Sequence, residues 1–168
     1  PFSIDFGVGD VIVPKQEKRK IPTQLDDFTA PVVSTYSLET TIAEKIDAIL
    51  SLMEFSSRMK DYYDIYYLAN KFDFDGKVLT EALKKTFENR GHTFTIEQFE
   101  QVMSFADDSA MQKKWKAFCR KIDTQTDDFS IVLRTIKVFL TKLFIAVLSK
   151  TEFSQQWIAA ESQWKKGV

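Results

Sequence analysis

From Phe129 to Ser149 the chain reads FSIVLRTIKVFLTKLFIAVLS, without a single Gly, Pro, Asp or Glu. A breaker-free run of this length is a long helix, because nothing in it removes a backbone donor or relaxes the backbone. Its core, Ile131–Leu148, is interrupted by Arg134, Lys137 and Lys142, which argues for a helix buried in protein rather than a membrane span. Such a helix is apolar nearly all round, so other helices must surround it, and it is expected at the centre of a bundle. The rest of the composition agrees. The chain holds 15 Phe but only 5 Gly and 4 Pro, which favours helices over a turn-rich β fold.

The remaining helices follow from capping residues and apolar spacing. Ser37 is suited to cap a helix whose apolar face is Ile42, Ile46, Ile49, Leu50 and Met53. A second helix is predicted over Arg58–Asn70 and a third over Lys77–Arg90, with Asp75 as N-cap and Gly91 as C-cap. Thr95–Ala106 and Ser109–Ile122 follow, and a final helix is predicted near Ser154–Lys165. Before Ser37 the pattern is β. Phe2–Phe6 alternates, residues 7–10 turn, and Val11–Val13 forms a second strand. A short strand is also expected near Ala30–Tyr36, with Lys15–Asp27 as a charged connector. A lone hairpin is marginal in water, so further sheet is expected upstream of Pro1. The expected class is therefore α+β, predominantly α. Residues 1–36 are read as the remnant of a sheet and 37–168 as a helical domain.

A net charge of −1 excludes a strongly basic nucleic-acid module. The single cysteine, Cys119, permits neither an internal disulfide nor a cysteine metal cluster and suits a reducing, cytoplasmic setting. Lys113, Lys114, Lys116, Arg120 and Lys121 form a modest basic cluster, more simply read as a solvated helix face. His92, the sole histidine, is read as structural. Tyr62, Tyr63, Tyr66 and Tyr67 are read as packing residues before base-stacking ones.

The most informative helix is the second. At about 100° per residue, Met59, Tyr62, Ile65, Tyr66, Leu68 and Ala69 make a broad apolar arc. Asp61 falls inside one end of it and Asp64 lies at its margin. Two carboxylates three residues apart beside a packed face repel one another and resist desolvation. Cations such as Arg58 and Lys60, or a bound metal, must neutralise them. Spacing leaves both options open. On the preceding helix Lys45 sits at the edge of the apolar face, while Glu44 points away from it. A short connection brings Lys45 near Asp61, where a structural salt bridge is the plainer reading of spacing alone.

These residues carry a resemblance. Tyr36 to Ala48 (YSLETTIAEKIDA) and Arg58 to Leu68 (RMKDYYDIYYL) resemble the paired motifs of AbiEii-type nucleotidyltransferase toxins. Ile4 to Asp10 (IDFGVGD) is similar to the strand and turn before them. The likeness covers roughly Phe2 to Leu68. It implies a nucleotidyltransferase sheet followed by a helical bundle, and transfer of a nucleotide from a nucleoside triphosphate with Mg²⁺. It also implies the roles. Lys45, Asp61 and Asp64 are catalytic, Arg58 and Lys60 bind phosphate or orient Asp61, and Asp5 is a strand carboxylate facing metal. The 3′ end of tRNA as acceptor, a cognate antitoxin and a place in phage defence are implied in the same way.

The chain departs from that pattern in one respect. The family's Gly-Ser or Gly-Gly turn followed by Asp-x-Asp has no match. Asp73-Phe74-Asp75 lacks the turn and follows the helical motifs. The principal metal site is therefore expected upstream of Pro1, and this stretch alone is expected to be inactive. The competing class is a non-catalytic helical interaction domain on the same scaffold.

Overall fold

The computed structural model describes residues 9–55, 58–122 and 127–166. Six helices organise it: α1 (Leu38–Leu52), α2 (Met59–Lys71), α3 (Gly76–Arg90), α4 (Ile96–Ser104), α5 (Ser109–Lys121) and α6 (Phe129–Ser149). As its composition demands, α6 is the spine, packing on α2, α3 and α4. Val132, Leu133, Ile136, Phe139, Leu140, Leu143 and Phe144 are each at most 1% exposed. It is not enclosed all round, however. Ile131, Val138, Ile145 and Leu148 remain 41–50% exposed along one stripe.

Capping follows the sequence closely. Ser37 Oγ accepts from the Thr40 amide, Asp75 accepts from Lys77 and Val78, and Thr95 with Gln98 closes a capping box. Gly91 ends α3 at φ 66°, the left-handed conformation that glycine adopts without a Cβ penalty. α5 starts under Asp108, one residue earlier than the cap expected.

Two β expectations are corrected. Val11–Val13 is not a strand. The Val13 amide donates to Thr40 Oγ1 at 2.9 Å, and its carbonyl accepts from the Ser37 and Thr40 hydroxyls. Its backbone groups are therefore satisfied by the start of α1 instead of a ladder. The supposed connector instead supplies β1 (Glu17–Lys20), which pairs antiparallel with β2 (Val32–Thr35), matching Glu17 with Thr35 and Lys20 with Val32. The strand predicted at Phe2–Phe6 lies outside the described residues.

The last predicted helix is also replaced. β4 (Gln155–Ile158) and β5 (Gln163–Lys166) form a hairpin that extends β3 (Phe74–Asp75), in the order β3-β4-β5. Trp157 and Trp164 face one another across it. Trp157 Nε1 donates to the Ala69 carbonyl of α2 at 2.7 Å, and Trp164 Nε1 to the Phe139 carbonyl of α6 at 2.8 Å. Each indole thus buries its ring while its one donor is satisfied. No helix among the described residues is long and apolar enough to cross a membrane.

Candidate active site

Thr41, Glu44, Lys45 and Ala48 recur at three- and four-residue steps along α1, so they share one face of it. That face is the floor of a cleft of about 280 Å³. Arg58 and Asp61 line it from the α2 side, and Tyr36 and Arg90 complete the lining. α1 packs against both α2 and α3, which is why one helix carries groups of two neighbourhoods.

On the α2 side the carboxylates and cations interlock. Lys45 Nζ lies 2.9 Å from Asp61 Oδ1 and 2.7 Å from Asp64 Oδ2. Arg58 Nε is 3.0 Å from Asp61 Oδ2, and Lys60 Nζ is 2.6 Å from Asp64 Oδ2. The Asp61 side chain is only 7% exposed, as expected for a carboxylate set into the apolar arc of α2. Its Oδ2 is fully buried. The Arg58 contact is close enough for ion pairing but is not an aligned hydrogen bond, so this oxygen keeps acceptor capacity. Burial disfavours the charged ammonium of Lys45, but the hydrogen bonds and charges of Asp64 and Asp61 outweigh it and raise its pKa. The charge on Lys45 is thereby secured.

On the other side lies a group that sequence reasoning did not assemble. Asp47, 1% exposed, accepts from Arg90 Nη1 at 3.0 Å and contacts His92 Nδ1 at 2.8 Å. Arg90 Nη2 stands 3.5 Å from Glu44. Glu44, expected to point away from the apolar face of α1, lines the cleft next to Lys45. Burial, then the nearby charge of Asp10, raises its carboxyl above the usual range, with Arg90 acting in opposition. The Tyr36 hydroxyl donates to Asp10 at 2.6 Å, and that bond first, with burial, pushes its pKa up to about 12. The available signal was Asp47, a carboxylate directly after apolar Ile46. A buried charge there needs a cation, and nearby Arg90 ends α3.

His92 thus serves the buried Asp47. The same ring nitrogen meets Ser51 Oγ at 3.3 Å and Asp47, so the three do not form a proton relay through opposite nitrogens of the imidazole. Of the tyrosines, Tyr62 is fully buried, Tyr63 and Tyr67 stack on one another, and Tyr66 bonds Asp127. Asp73 and Asp75 are occupied structurally, by the Ala159 amide and by the start of α3.

No group of three or more His, Cys, Asp or Glu side chains among the described residues converges to hold a metal. Between Asp61 and Asp64 the ammonium of Lys45 takes the position that a cation would need. These two carboxylates by themselves therefore do not fit a metal site. Asp5 lies outside the described residues.

Residues 1–142 match the model of the family described as Nucleotidyl transferase AbiEii toxin, Type IV TA system. The chain belongs to this AbiEii family. No curated protein and no solved structure matches it. Membership makes it part of a family of nucleotidyltransferase toxins that work in toxin–antitoxin pairs, and the matched span contains the whole cleft.

Proposed function

We propose that the α1–α2 cleft binds the triphosphate of a nucleoside triphosphate and that the intact protein transfers the nucleotide to an acceptor hydroxyl. The observation that carries this reading is the position of Lys45. An ammonium has three donors. Two are directed to Asp61 and Asp64, and the third is left for an anion in the cleft that Lys45 lines. Arg58 adds a second cation at the same end.

In the reaction the acceptor oxygen bonds to the α-phosphorus while the bond to pyrophosphate breaks. Lys45 and Arg58 stabilise charge on the phosphates, a task of positioning and electrostatics rather than covalent catalysis. Asp61 Oδ2, buried and without an aligned donor, is the group we assign to receive the acceptor's proton. Asp64 holds Lys45 and Lys60 in place. Asp5 is the carboxylate of this chain that we assign to Mg²⁺ on the family's pattern. The tRNA 3′ end as acceptor and a cognate antitoxin as neutralising partner belong to this same proposal, as does the inactivity of residues 1–168 alone.

The test is a transfer assay on the intact gene product with Mg²⁺, total tRNA and each α-labelled nucleoside triphosphate. Label should appear on RNA and vanish in Lys45→Ala and Asp61→Ala variants that remain folded. Transfer undiminished in both variants would refute the assigned roles. Folded protein that neither binds triphosphate nor transfers label would favour a non-catalytic interaction domain.

A further inference from the structure

The cleft is electrically two-sided. Its α2 side is lined by Lys45 and Arg58 against the single carboxylate of Asp61, so cations prevail there. On the other side Glu44 and Asp47 flank a single guanidinium, that of Arg90, and the charge of Asp10 lies near Glu44. An anionic triphosphate is attracted to the first side and repelled from the second. The second side must therefore receive a part of the ligand that donates hydrogen bonds.

From this polarity we infer that Glu44 reads the sugar of the nucleotide, accepting hydrogen bonds from its vicinal hydroxyls. The inference rests on the triphosphate reading above and adds to it the group that selects ribonucleotides. Three observations support it. Glu44 precedes Lys45 on α1, and the sugar is the group covalently next to the phosphates, so neighbouring side chains meet neighbouring parts of one ligand. Glu44 is held on one flank by Arg90, which buried Asp47 fixes in turn, so its carboxylate is oriented while retaining acceptor sites for the cleft. A carboxylate that accepts from ribose hydroxyls is a recurrent solution in nucleotide sites. The cleft, about 280 Å³, is also at the small end for ligand pockets, suiting phosphates and a sugar with the base projecting outward. Glu44 is the specificity-determining group, and Arg90 and Asp47 are positioning residues behind it.

The experiment measures binding to the intact gene product with Mg²⁺. Its ligands are the four ribonucleoside triphosphates, their 2′-deoxy counterparts and inorganic tripolyphosphate. Wild type should prefer ribose by about tenfold, as a hydrogen bond to a charged group implies. Glu44→Ala should bring the two sugar series within about twofold, while tripolyphosphate affinity does not fall, since removing this carboxylate removes a repulsion. Glu44→Gln, which keeps one acceptor oxygen, should retain an intermediate preference, showing that the loss is not one of folding. Equal binding of both sugars by wild type, or undiminished preference in Glu44→Ala, would overturn the sugar assignment and leave the triphosphate reading intact. Failure of tripolyphosphate to bind wild type would overturn the triphosphate reading, and the sugar assignment with it.

Discussion

Replacing Lys45 by methionine separates its two duties, holding α1 to α2 and facing the ligand. The change keeps most of the side-chain volume but leaves Asp61 and Asp64 without the ammonium between them. Removing one member of a fully buried pair costs about 3–5 kcal/mol. Here the cost is smaller, because Arg58 still reaches Asp61 and Lys60 still reaches Asp64, although both cations are mostly exposed, at 59% and 72%. A loss of about 2 kcal/mol is expected from that partial compensation. For a chain of this size it corresponds to a melting point lower by about 4–8 °C. Adding Asp61→Leu should recover most of the stability, since a packed apolar pair often equals a buried ion pair. Tripolyphosphate binding should be absent in both the single and the double variant. Urea unfolding and calorimetry measure the first quantity, and ligand titration the second. A stability loss below about 0.5 kcal/mol for Lys45→Met would show that the pair behaves as a surface ion pair, refuting the desolvation argument. The pH dependence has a fixed sign. The pKa of Lys45 is raised above its ordinary 10.5, so the pair's contribution is complete below that value and declines as pH rises through the higher folded value.

Other outcomes follow from the same geometry. Tyr62→Phe should stabilise the protein by about 1 kcal/mol in urea unfolding, because the buried hydroxyl has no hydrogen-bond partner among the described residues. A loss of similar size would mean that a solvent molecule satisfies it. Gly76→Ala should cost about 2 kcal/mol, since a Cβ there would lie 2.6 Å from the Gln155 carbonyl oxygen and from Phe153 Cδ1. Faster amide exchange in β4 should accompany that loss. Asp75→Ala should cost about 1 kcal/mol by removing the α3 cap. Burial acts to raise this carboxyl, but the Val78 amide, Gln156 and Lys77 prevail and hold it below its ordinary 3.8. Its contribution is therefore present above pH 3.8 and lost as pH falls through the folded value, a loss absent from the variant's acid denaturation curve.

The helices and the Lys45–Asp61 contact were legible because periodicity and caps are local signals. The C-terminal hairpin was misread for a definite reason. Trp157, Glu161 and Trp164 are spaced as on a helical face, yet a seven-residue separation also places the two tryptophans opposite one another across a hairpin. β1 was missed because Glu17–Lys20 is wholly charged and exposed, so no alternation marked it. It is a strand by virtue of backbone pairing with β2 alone. The Arg90 side of the cleft was only half legible, because Asp47 beside Ile46 signals the need for a cation, but no spacing rule says that it is an arginine 43 positions away on another helix.

The tryptophan clasp also sets an order on the chain's own production. α2, with Asp61 and Asp64, is anchored at Ala69 by an indole made 88 residues later. A ribosome will have released the entire α2 motif well before β4 exists to brace it. During that interval α2 lacks its Trp157 brace, so the fully supported site arrives only once residues 155–166 have emerged and folded back.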